Sequence, residues 1–183
     1  MNRATTSLLA GLLCAGLAGG LPAQAESPPD LSDPEVAHVA VTANTIDIDL
    51  AKFAQTRTQN AEVRRFAATM ISDHSGVNGK AAALAARLGV TPADNAVSQS
   101  LQQGAQEARA TLEPLQGAAF DRAYMDREIA YHQAVLDAID DVLIPTTTNA
   151  ELKQLLTDVR PAFAGHMEMA RQLRGKLDLA QSR

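Results

Sequence analysis

Four histidines are distributed along this chain with one in each of four long apolar-periodic stretches: His38, His74, His132 and His166. His74, His132 and His166 fall on the apolar stripe of their stretch, where the pattern asks for an aliphatic side chain. The segment MISDHSGVN, residues 70–78, shows this most clearly, because Val63, Phe66, Met70, Val77, Ala81, Leu84 and Leu88 repeat at helical spacing around His74. A single buried histidine usually needs only a hydrogen-bond partner. Three that converge, with carboxylates at the same height, have the chemistry of a metal site. Imidazole and carboxylate together suit Fe, Mn, Zn or Cu.

Heights along the helices decide which groups can meet. Folding the first two stretches back on each other near Gln59 brings Asp47 and His74 to within one helical turn. Folding the last two near Thr147 aligns Glu128 with His166 and leaves His132 about one turn, roughly 6 Å, away. Glu128 and His132 are four residues apart, hence on one face. The candidate metal ligands are therefore Asp47, His74, Glu128, His132 and His166. Asp73 and Asp121 are candidates to orient an imidazole through its other nitrogen, and Tyr124 and Tyr131 to donate hydrogen bonds. The alternative is a metal-free network, in which the same histidines and aspartates pair with one another and fix helix register.

Weaker signals surround this cluster. Glu35-Val-Ala-His38 has the Glu-x-x-His spacing of di-iron helices, but it lies in the first turn of its helix, where an acidic residue favours the N-terminus on its own account. Met70, Met125, Met167 and Met169 lie near the histidines in the pattern. Methionine with histidine suits copper(I), and methionine also fills irregular cores. No glycine-rich phosphate loop, nucleophile elbow or thiol motif is present. Ser72, Asp73, His74 and Ser75 on one helix point in different directions.

The elements that must carry these residues are helices. Asp33 as N-cap and Pro34 at the first position open a helix to about Arg57. Asn60 caps a second that reaches Leu88, with Gly89 at its end. Residues 91–117 are polar and alanine-rich, punctuated by Pro92, Gly104, Pro114 and Gly117, and hold a short helix over about 96–112. A third long helix spans Ala118 to about Ile144, and PTTTN makes the turn. A fourth spans Ala150 to about Leu179, with Pro161 expected to kink or split it. No stretch alternates as a strand does. The pattern predicts an all-α, up-down-up-down four-helix bundle, and the longer link between helices two and three has the length to place those two parallel.

The N-terminus is read as a secretory signal peptide: Arg3, an apolar run from Leu8 to Leu21, and Ala23-Gln24-Ala25 before a cleavage point after Ala25. Residues 26–33 follow as a flexible leader, and residues 34–179 as one bundle domain. The only cysteine, Cys14, lies in the signal segment, so the mature chain holds no disulfide and relies on its core. The net charge of −5 has no basic block, which argues against nucleic acid as a partner. The mature chain carries no membrane-spanning run. The expected location is the periplasm or outside the cell, with association at the outer membrane and an envelope protein or a second copy as the open partners.

Three stretches carry a resemblance: EVRRFAATMISDHSGVNGKAAALAARLGV, FDRAYMDREIAYHQAVLDAID and LKQLLTDVRPAFAGHMEMARQL. They resemble the exported bacterial family called domain of unknown function 4142, over about Pro34 to Leu177. The resemblance implies a ferritin-like fold. It also implies recurring polar positions at Asp73, His74, Asp121, Tyr124, His132 and His166. Where relatives tend to carry Glu on the first helix, this chain has the shorter Asp47. It lacks the two Glu-x-x-His helices and two further glutamates of a di-iron ferritin, which disfavours ferroxidase chemistry.

Overall fold

The computed structural model describes residues 30–181; the segment read as a signal peptide, and the leader up to residue 29, lie outside them. Helix α1 spans Asp33–Arg57, α2 Ala61–Leu88, α3 Ala96–Leu112 and α4 Gly117–Ala138. A π-helical turn, Ile139–Leu143, joins α4 to a single turn, α5, at Ile144–Thr146, and α6 spans Ala150–Gln181. The described residues form an all-helical bundle in which α1 pairs with α2 and α4 with α6.

The connections set the topology. Ala93 N–H donates to the Pro34 carbonyl and Asn95 to that of Glu35, so the link after α2 returns to the start of α1. Helix α3 then runs about 25 Å alongside α1, at 1.5 Å per residue. At its far end the Arg57 guanidinium donates to the carbonyls of Glu113 and Leu115. Helix α4 therefore starts beside the start of α2 and runs parallel to it. The order is up-down-down-up rather than up-down-up-down, because the link between α2 and α4 is itself a helix long enough to cross the bundle.

Local chemistry explains the boundaries, and several differ from the sequence reading. Asn60 accepts from Glu62 and Val63 N–H to start α2, and Gly89 ends it at φ 65°, the left-handed geometry glycine adopts without strain. Ser32, not Asp33, caps α1, through a reciprocal pair with Glu35. Asp33 instead holds the opposite turn, accepting from Thr148 and Asn149. Pro145 and Thr146 are helical, which confines the turn to 147–149. Pro145 cannot donate to the Asp141 carbonyl, and the preceding turn widens to a π pattern, with Ile144 N–H donating to Ile139. Pro161 does not split α6. It sits on the exposed face, where water can satisfy the carbonyl it leaves free.

Two apolar clusters divide the interior. The base contains Leu50, Phe53, Val63, Phe66, Met70, Phe120, Tyr124 and Leu173. The head contains Val36, Val39, Leu84, Leu136, Ile139, Leu156, Val159 and Phe163. A buried polar layer lies between them.

Candidate metal centre

The polar layer takes one or more residues from each long helix. Asn44 and Asp47 come from α1, His74 from α2, Arg127, Glu128 and His132 from α4, and His166 from α6. Asp47 and Glu128 are completely buried, and the three histidines are exposed by 3% or less. The three imidazole centroids lie 5.3–5.5 Å apart, and Phe163 stacks on His74 at 4.8 Å.

Each histidine is held through one ring nitrogen. His132 Nδ1–H donates to the Glu128 carbonyl at 3.0 Å, one turn earlier on the same helix. His166 Nε2–H donates to Asp73 at 3.0 Å; Asp73 is half-exposed and acts on the ring from the rim of the layer. His74 Nδ1–H donates to Asn44 Oδ1 at 2.7 Å. These bonds set the tautomers. They leave His132 Nε2 and His166 Nδ1 as buried lone pairs with no hydrogen-bond partner. One ring nitrogen from each of His74, His132 and His166 lies within 4.8 Å of the others.

His74 Nε2 meets Asp47 Oδ2 at 2.9 Å. The two meet off-axis, and neither gains a well-directed hydrogen bond. With Nδ1–H already donated, a neutral His74 would turn a lone pair toward a carboxylate. An N–H proton or a bound cation would bridge that gap. Two ligands bound at about 2.0–2.2 Å to one ion stand roughly 3 Å apart, so the spacing suits both occupants. The imidazole trio is wider and would have to draw inward around an ion.

Asp47, Glu128 and His132 form a second group with donors within 4.8 Å. Its carboxylates are already served by a cation. Arg127 Nη1 contacts Asp47 Oδ1 at 3.1 Å and Glu128 Oε1 at 2.8 Å, and its guanidinium stacks 3.9 Å from the Tyr131 ring centroid. Tyr131 in turn donates to the Ala43 carbonyl at 2.9 Å. A metal on the two carboxylates would face that fixed positive charge. The trio of imidazoles is the better-prepared donor set.

Electrostatics separate the two carboxyls. Burial pushes Asp47 up, but contact with His74, with further help from His132 and Arg127, holds it well below the usual range. Burial and the Asp47 charge push Glu128 well above its usual range, against the pull of Arg127. The two neighbouring carboxyls are thus pushed in opposite directions. Burial, with the neighbouring His74 and His166, lowers His132 to about 4. Burial also lowers His166, against the pull of Asp73. Both rings are neutral near pH 7, the form that ligates a metal.

The other sequence candidates are placed elsewhere. Asp121 is buried in the base, where Thr58 Oγ1 donates to it at 2.6 Å, beside the α1–α2 turn. Tyr124 is fully buried, stacked on Phe120 and edge-on to Phe66. Burial and the Glu128 carboxyl raise its hydroxyl pKa. His38 is on the rim, 3.7 Å from Asp94. Met70 and Met125 are buried in the base, while Met169 is exposed. Asn44 and Arg127 escaped the sequence reading. Asn44 hides within the α1 stripe as a small polar residue. Arg127 offered only a weak signal, its spacing of four from Tyr131 next to Glu128.

The family description "Domain of unknown function (DUF4142)" matches residues 19–173. This chain belongs to the DUF4142 family. A search of curated proteins found no match. Among solved structures the chain is similar to "CopM in the Cu(II)-bound form", at 14% identity and a TM-score of 0.60, over 81% of this chain and 99% of that one. At that identity the likeness concerns the helical-bundle fold. Among the described residues, no helix is long and apolar enough to cross a membrane.

Proposed function

We propose that this DUF4142 chain is an exported bundle protein that binds a transition-metal ion between His74, His132 and His166, with Asp47 closing the site beside His74. The observation that carries the reading is the set of imidazoles fixed through one nitrogen. Two of them keep the other nitrogen as a buried, unpartnered lone pair, and His74 turns its own toward Asp47. A buried polar atom without a partner costs free energy, and a metal ion supplies that partner. Imidazole-rich donation suits copper or zinc over manganese. The Cu(II)-bound state of the similar structure makes copper the first ion to try, and the signal-like N-terminus supports export. Imidazole ligates in its neutral form, so affinity should fall on acidification.

The arrangement supports holding an ion more than turning over a substrate. Asp73, the Glu128 carbonyl and Asn44 each orient a ring, which is how a binding site is kept in register. The test is to load the untagged chain separately with Cu, Zn, Fe and Mn, and to measure bound metal and melting temperature together. The reading expects about one ion per chain for copper or zinc, a raised melting temperature, and loss of both in His132→Ala with helicity kept. A chain that retains none of the four ions would leave the alternative, a metal-free hydrogen-bond network. The contact of Arg127 with both carboxylates favours that alternative for Asp47 and Glu128.

A further inference from the structure

The head of the bundle is incompletely filled. A cavity of about 210 Å³ lies there between α1, α2, α4 and α6, with α3 along its side. Its walls are small and aliphatic. Ala40 of α1, Val97 of α3, Ala138 of α4 and Leu156 of α6 are typical. The π turn contributes Ile139, Val142 and Leu143, and such turns recur where a helix is reshaped around a site. Four lining residues carry polar groups: Asn44, Tyr131, His74 and His132. All four belong to the end that borders the polar layer. Three of them are already engaged: Asn44 with His74, Tyr131 with the Ala43 carbonyl, and His74 with Asn44 and Asp47. His74 Nε2 and His132 Nε2 both lack a well-directed partner, and both are closed off within the polar layer, so the wall that a ligand meets is almost wholly apolar.

From this cavity we infer that the head of the bundle binds an uncharged, apolar small molecule, somewhat larger than benzene. A dry cavity of 150 Å³ lined by aliphatic and aromatic side chains already takes benzene, so this volume admits a larger ring system. The apolar wall supplies the affinity. A charged ligand is excluded, because nothing in the wall offers a counter-charge to offset its desolvation. The inference concerns the metal-free chain and does not depend on metal being bound.

Indole is the probe, with naphthalene as a bicycle lacking the N–H. The full mature chain, stripped of metal with a chelator, is titrated with each and followed by NMR and thermal unfolding. Indole is expected to saturate one site, shift the resonances of Ala40, Ala138 and His132, and raise the melting temperature, with naphthalene binding at least as tightly. Ala138→Leu and Ala40→Leu each project a larger side chain into the space and touch none of the imidazoles. Either should weaken indole by about tenfold or more while copper or zinc loading stays as in the parent chain. Absence of saturable indole binding up to its solubility, or equal affinity in both filled variants, would overturn the assignment. Metal retention without indole binding rejects the cavity proposal alone, and indole binding without metal retention rejects the metal reading alone.

Discussion

The two ends of the bundle interior are built differently. The base is packed with aromatic rings: Phe53 and Phe66 meet Phe120 and Tyr124 edge-on, and Phe120 stacks on Tyr124. The head relies on branched aliphatics, with alanines around its cavity and one phenylalanine, Phe163, lying flat on His74. Aromatic side chains fill space in large rigid pieces, whereas alanine leaves room. The polar layer thus has one face sealed by the base and another face that borders a void. The contrast separates two tasks: the base stabilises the fold, and the head leaves space beside the polar layer.

The largest expected effect breaks the base. Phe120→Ala should cost about 3–5 kcal/mol in urea unfolding, while the fraction that remains folded still loads metal. Equal damage to metal loading would mean that the two ends are not separable. Arg127→Met comes next. It leaves Asp47 and Glu128 without their cation and should cost about 3 kcal/mol in the metal-free chain. A loss under about 1 kcal/mol, the range of a surface pair, would show that Arg127 does not hold the two carboxyls together.

The pH dependence sharpens the same contrast. Burial lowers His132 to about 4 in the fold, from 6.5 in an open chain. Between these values the unfolded state binds more protons, so its contribution to stability falls as pH drops from 6.5 toward 4. His166 acts in the same direction. Raised Glu128 opposes them, since its penalty relaxes as pH falls. Comparison with His132→Leu isolates the histidine: the parent should lose up to about 3 kcal/mol more than the variant between pH 7 and pH 4, read as a difference in unfolding free energy. Parallel pH profiles would contradict the buried neutral imidazole.

Smaller effects follow. Asp73→Asn should weaken metal binding by about 10- to 100-fold by loosening His166, whereas Asp121→Asn, which acts on Thr58 in the base, should leave it unchanged in the same titration. Last, Ala54→Leu overpacks the closed base and should cost about 1–3 kcal/mol. Ala138→Leu, beside the void, should leave the melting temperature level or higher. Equal losses in both would mean that the head is as tightly filled as the base.

Most of the helical frame was legible because its signals are local: Asn60 before α2, Gly89 after it, and stripes of apolar residues at helical spacing. The common height of Asp47, His74, Glu128, His132 and His166 was legible too, since it follows from helix rise and two short turns. What was not legible depends on the third dimension. Asp121 and Asp73 read alike in the sequence, yet one faces the base and the other the rim of the layer. Arg127 becomes part of the layer because α4 lies against α1, a packing that no spacing within α4 reports. The parallel course of α2 and α4 turned on which way α3 runs, and the π turn on how Pro145 is absorbed.

X-ray absorption of the chain loaded with one equivalent of copper(II) tests the central claim most directly, because it counts the donors. Three imidazoles on the ion, with at least one lost in each of His74→Ala, His132→Ala and His166→Ala, is the predicted result. A shell of oxygen donors that ignores those substitutions would contradict it and move the ion to the carboxylates beside Arg127 or to the surface.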